Sequence, residues 1–260
     1  MEGGKTVYFY LEEGNRFKRH RWSRGKMPVS EFAMGKNWML ECCGVPEFYW
    51  KDRKWESGRL TEGLSGILEE QKAEDYYLHP EVARLAGITE NLPPEILLQK
   101  VFCQIPCLEY LIYLGWGKGH REGALGEEAF REERQILFRL LEPYLARVNH
   151  FTLVTDRPEG YEEFTDYIYE EYGIPTAFMR KMKQRSGKDG KTVVLDTRRE
   201  VCIPYPEIPR RAVYMDFWSV EDKRRQLEKM RGDVRYLSVV KFLDTLVKNG
   251  YNTIVNCREQ

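Results

Sequence analysis

HFTLVTDRPEGYEEFTDYIYEEYGIPTAFM, residues 150 to 179, carries the fold. Its first six residues are apolar and β-branched enough for a buried strand. The next stretch sets Tyr161, Phe164, Ile168 and Tyr172 at helical spacing on one face. Gly173 then stands where a helix closes on a left-handed residue, and Ile174 to Met179 returns to strand character. Strand, helix and strand within thirty residues make a βαβ unit with a right-handed crossover.

The same alternation extends downstream. Thr192 to Leu195 and Ala212 to Phe217 read as strands. Ser219, with Asp222 three residues on, reads as the cap of a helix that Gly232 closes. A last helix carries Tyr236, Val240, Leu243 and Val247 on one face and leads through Gly250 to a short strand, Asn252 to Val255. CIPYPEIPRR holds three prolines, so it is an extended connection rather than a central strand. Residues 180 to 196 have two readings. An antiparallel hairpin through Asp189-Gly190 is favoured slightly over a loop followed by a parallel strand. The expected class is therefore α/β, with an open Rossmann-like sheet in the C-terminal part, parallel or mixed according to that hairpin.

Upstream lies a smaller, aromatic-rich α+β lobe. Thr6 to Glu13 is a strand with Val7, Phe9 and Leu11 on one face and Tyr8 and Tyr10 on the other. Residues 36 to 55 add a strand-like core, and Ser57 to Leu92 reads as short surface helices. Pro93 and Pro94 open a helix through about Gln104, and Glu127 to Val148 has the longest helical pattern, with Pro143 expected to kink it. The expected organisation is a lobe over residues 1 to 125, a connecting or covering helix over 126 to 148, and the Rossmann-like domain over 149 to 260, with one continuous domain as the alternative.

Composition narrows the function classes. Lys plus Arg equals Asp plus Glu at 41 each, so no global field draws the chain to nucleic acid or anionic lipid. The densest apolar run, Leu108 to Trp116, is too short to span a bilayer, and the N-terminus lacks the apolar stretch of a secretory signal. Six irregularly spaced cysteines suit reduced thiols, which points to the cytoplasm. Cys42 and Cys43 diverge on a strand and read as buried, while Cys103 and Cys107 in CQIPC lack a matching ligand pair.

Chemistry has few places to sit. Three strands end in acid, at Asp156, Asp196 and Asp216. In open α/β sheets the carboxyl edge of the strands is where ligands bind. Thr155, Asp156, Arg157, Asp196, Arg198 and Asp216 are accordingly the candidate ligand residues, for a small phosphorylated molecule or, with a shared Mg²⁺, for phosphoryl chemistry. The plainer account makes Asp156 a helix cap and pairs Asp196 with Arg198 or Arg199, and Asp216 with Arg210 or Arg211. That account is favoured, so no metal site is assigned. GKGHREGALG, residues 117 to 126, is glycine-rich but matches no phosphate-loop fingerprint, and no cofactor motif or catalytic triad is present.

A second function class rests on residues 15 to 26, NRFKRHRWSRGK, where six basic residues surround Phe17 and Trp22. Arg16, Lys18, Arg19, Arg21 and Trp22 are candidates for a protein partner or, less favoured, for single-stranded nucleic acid, where cations meet phosphates and rings stack on bases. A solvated loop of the same composition is the default account. The two expectations are thus a ligand-binding or phosphate-handling α/β enzyme and a non-catalytic interaction or scaffold protein.

Overall fold

The computed structural model describes residues 4–12, 29–35, 38–46, 57–73, 75–88, 91–105, 107–115, 134–135, 138–155, 158–182, 187–199 and 202–249. The chain divides into two compact units, Met1–Pro94 with Leu243–Arg258, and Glu95–Phe242.

In the first unit, β1 (Gly4–Glu12) pairs in parallel with β3 (Trp38–Pro46) and β4 (Asp75–Leu78), while β2 (Val29–Gly35) runs antiparallel to β3. Val7, Tyr8 and Phe9 are all buried, as a central strand requires when both faces are covered. Val7, Phe9, Cys43 and Val45 meet Leu60 and Leu64 of α1 (Ser57–Gln71) and Val82 of α2 (Pro80–Ala86) in one core. Tyr8 stacks on Tyr10 and Tyr77 on the other face, with ring centroids 5.9 and 6.0 Å apart. Cys42 and Cys43 are both buried, and burial lifts the Cys43 thiol to about 12. The expectation of short surface helices over Ser57 to Leu92 missed β4. Only two of its four residues are buried, which leaves little alternation to read.

The second unit is a six-stranded sheet in the order β10-β9-β8-β5-β6-β7, parallel throughout. Its strands are β5 (Tyr110–Leu114), β6 (His150–Val154), β7 (Thr176–Met179), β8 (Thr192–Asp196), β9 (Val213–Asp216) and β10 (Arg235–Leu237). Counted along the chain, the first strand lies in the middle and the order is 3-2-1-4-5-6, the doubly wound arrangement of an open Rossmann-like sheet. The helix read after Pro93 and Pro94 is α3 (Glu95–Phe102), and the βαβ unit read from residues 150 to 179 is present. After α4 (Glu162–Tyr172), Gly173 adopts φ 66° and β7 runs parallel to β6.

Several expectations change. Thr192 to Asp196 does not fold back on the preceding residues as a hairpin, because both edges of β8 are taken, one by β5 and the other by β9. All five residues of β8 are buried, and a place between β5 and β9 covers them as a hairpin at the sheet margin would not. Antiparallel pairing belongs instead to β2 and β3 in the first unit. The central strand β5 lies inside residues 1 to 125, and the second unit begins at Glu95 rather than at residue 149. A continuous apolar run such as YLIYL carries no period, so its strand character became plain only from its neighbours. Tyr236 belongs to the three-residue β10 rather than to the last helix, α6 (Val239–Asn249). The expected strand at Asn252 to Val255 and residues 117 to 126 lie outside the described residues.

One sheet face carries Ile112, Leu114, Val194, Tyr214 and Tyr236, closed by Leu227 of α5 (Glu221–Met230) and by Ile203 and Ile208 of the proline-rich connection. On the other side, Phe151 of β6 meets Phe164 of α4 edge to face, with centroids 5.8 Å apart. Helices thus cover both faces and leave the strand ends as the place where polar chemistry can gather. No helix among the described residues is long and apolar enough to cross a membrane.

Candidate functional site

Asp196 and Asp216 end the adjacent strands β8 and β9 and stand directly opposite each other in the register. Both are fully buried, which is costly for a charge unless partners are supplied. The partner comes from α5. In GluAspLysArgArgGlnLeuGluLysMet, Lys223 and Leu227 fall on one stripe and are the helix's buried residues. Lys223 Nζ lies 3.1 Å from Asp196 Oδ2 and 3.5 Å from Asp216 Oδ1, and it also donates to the Arg198 carbonyl. The ammonium thus makes two hydrogen bonds, to Asp196 and to the Arg198 carbonyl, and an ion pair with Asp216.

The carboxylates are filled in turn. Asp196 Oδ1 accepts from the Arg198 backbone N–H at 3.0 Å and from Arg198 Nε at 2.9 Å. Its Oδ2 takes Arg198 Nη2 at 3.2 Å and the Tyr214 hydroxyl. Asp216 Oδ1 accepts from Trp218 N at 3.2 Å, and Oδ2 from Val220 N at 2.6 Å and the Tyr236 hydroxyl at 2.8 Å. Burial pushes the Asp196 carboxyl upward, but Lys223 and Arg198 outweigh it and hold the group below the ordinary aspartate value. Asp216 has no arginine, and burial together with the charge of Asp196 lifts it to about 6 against the pull of Lys223. Burial and the neighbouring carboxylates raise Tyr214 and Tyr236, so both phenols stay protonated donors.

Two local expectations are corrected here. Asp216 pairs with Lys223, not with Arg210 or Arg211, which precede the opposite end of β9 and turn their backbone N–H groups to Asp189 and Asp233. Ser219 does not cap α5. The cap position is Val220, whose N–H goes to Asp216, while Ser219 adopts φ 56° and accepts from Val240 N at 3.3 Å.

The carboxyl ends of β5 and β6 are built differently. Thr155 follows β6, is buried, and donates its N–H to Met179 O at 2.9 Å. Gly115 follows β5 and donates to Val154 O at 3.0 Å. A Cβ at Gly115 would stand 2.5 Å from the Tyr161 hydroxyl and 2.9 Å from its ring, so the buried tyrosine closes over a position that must lack a side chain. Thr197 ties β8 to this end through its N–H and hydroxyl, each 3.2 Å from Leu114 O. The Trp218 indole donates to Thr197 O at 2.7 Å, and the Arg199 guanidinium lies 4.0 Å over the Trp218 ring.

Of the six candidate ligand residues, Asp196, Arg198 and Asp216 form one cluster, whereas Thr155 sits two strands away, about 10 Å at ordinary strand spacing. Asp156 and Arg157 lie outside the described residues, as do Arg16, Lys18, Arg19, Arg21 and Trp22. Lys223 occupies the position between two carboxylates that a shared cation would need. Among the described residues no three His, Cys, Asp or Glu side chains are placed to hold a metal. The sequence reading missed Lys223, Tyr214 and Tyr236. Lys223 did leave a signal, a cation at the stripe position between Val220 and Leu227 in an otherwise charged helix.

No protein-family model matches the chain, and no curated protein matches it in sequence. Among solved structures, the chain is similar to the ligand-free form of 5-ketofructose reductase of Gluconobacter sp. strain CHM43, at 12% identity and a TM-score of 0.35, over 98% of this chain and 93% of that one.

Proposed function

We propose that the parallel unit is a phosphate-handling enzyme that binds a small phosphorylated molecule over the carboxyl ends of β5 and β6. The observation that carries this reading is the strand order. It puts β5 beside β8, and the crevice of such a sheet opens where the chain reverses its direction of winding. Gly115 stands at that point, and the sequence after it is glycine-rich, a composition whose backbone N–H groups can receive phosphate oxygens. In this assignment Thr155, Asp156 and Arg157 contact the ligand. Asp196, Arg198 and Asp216 act as the rigid wall, because their polar atoms are spent on one another and on Lys223.

Calorimetric titration of the full chain with inorganic phosphate, AMP, ADP and NAD tests the reading. At least one of them is expected to bind, and Arg157→Gln to weaken that binding by about tenfold, the scale of one charge-assisted hydrogen bond. Failure of all four to bind, or equal affinity in the variant, sinks it.

A second reading, a non-catalytic interaction protein, draws support from the closed Asp196–Lys223–Asp216 cluster, in which neither carboxylate is left free for a ligand. Under it, partner binding is salt-sensitive and falls when Arg19, Arg21 and Trp22 are replaced together.

A further inference from the structure

The parallel sheet ends on β7, and nothing pairs with its outer edge among the described residues. In a parallel strand, alternate residues direct both peptide groups to the same side. Met179 O accepts from the N–H of Thr155, the residue that follows β6, so Ala177 and Met179 face β6, and Thr176 and Phe178 present their N–H and C=O groups outward. Phe178 is 47% exposed, which is unusual for a ring in a short strand, and Tyr169 on the preceding helix is 62% exposed. An open edge beside exposed rings is a template for another strand.

Charge chooses among the possible partners. Residues 158 to 173 hold no Lys or Arg, and Glu162, Glu163, Asp166, Glu170 and Glu171 of α4 are all exposed. Immediately after β7 come Arg180 and Lys181, also exposed. Because α4 enters β7 through the Gly173 turn, the strand has acid at its beginning and base at its end. Arg and Lys beside a short edge strand repel most partners, but not one that brings carboxylates to them. A second copy aligned parallel would set like charges side by side. An antiparallel copy lays each basic end over the other copy's acidic beginning, which is the self-complementarity a twofold interface requires.

We propose that β7 pairs antiparallel with β7 of a second copy of this chain and joins the two parallel sheets edge to edge. Sedimentation of the full chain tests it. The unmodified chain is expected to be a dimer that dissociates as salt is raised, and Phe178→Lys, at an exposed position, to be a folded monomer by circular dichroism. Two charge-reversed chains make the test specific. Arg180→Glu with Lys181→Glu, and separately Glu170→Lys with Glu171→Lys, each place like charges across the interface and are expected to be monomeric. Mixed together they are complementary at both contacts and are expected to form a heterodimer. A monomeric unmodified chain, a dimer indifferent to Phe178→Lys, or a mixture that stays monomeric overturns the proposal.

Discussion

The carboxyl edge of the parallel sheet has two halves of opposite character. At β8 and β9 two buried carboxylates are bonded to a buried lysine, an arginine, two phenols and nearby backbone N–H groups. After β5 and β6 the described residues are Gly115 and Thr155, with Tyr161 closing over the glycine and Thr197 of the β8 end bonded to Leu114 O. Both halves occupy the position where sheets of this order receive ligands. The difference lies in whether the polar atoms are already committed. A carboxylate that accepts from lysine, arginine and tyrosine holds the chain together, and a ligand would have to displace those donors to reach it.

The contrast breaks most sharply at Lys223. Lys223→Met leaves Asp196 and Asp216 facing each other without their shared cation, and urea unfolding is expected to show a loss of about 3–5 kcal/mol, the usual cost of stranding buried charge. A loss near zero would mean that the cluster is hydrated rather than closed. At the other half, Gly115→Ala forces a methyl against the Tyr161 ring and should cost about 1–3 kcal/mol. In a Tyr161→Phe background, where the nearest contacting atom is removed, part of that loss should return.

The two aspartates also separate by pH. Asp216 is raised from the ordinary 3.8 to about 6, so the folded chain keeps a proton that the unfolded chain has already released, and stability rises as pH falls through about 6. Asp196 is held low. Its stabilisation is present above the ordinary aspartate value and is lost as pH falls below it. Stability measured from neutral pH downward should therefore climb by on the order of 1–2 kcal/mol before it collapses, and Asp216→Asn should remove the climb while leaving the collapse. The smallest effect is expected on the exposed side of α5, where Glu221 meets Arg224 and Arg225. Glu221→Gln should change stability by less than about 1 kcal/mol, and a larger loss would show that the helix surface contributes as the buried stripe does.

Much of this architecture was legible in advance where the signal was local. The βαβ unit over residues 150 to 179 could be read because a six-residue apolar strand, a helical stripe and a closing glycine each act over a few residues. The Asp196–Arg198 pair could be read for the same reason, being two residues apart. The central place of YLIYL could not, since a strand buried on both faces has no period of its own. Neither could the hairpin question, because Asp189-Gly190 makes a tight turn in either topology and only the neighbours of β8 choose between them. Lys223 looked like one more solvated charge in EDKRRQLEKM, although its stripe position distinguished it.

By itself, then, the sequence determined the class of the fold, the elements with clear periodicity and the acids that end the strands. Tertiary structure decided which strand stands in the middle, which strands are neighbours and which cation meets Asp216. Periodicity and capping are set by residues within a turn or two of each other. Strand order and the pairing of Lys223 with two carboxylates 27 and 7 positions away depend on which surfaces exclude water together, and that is settled only when the whole sheet closes.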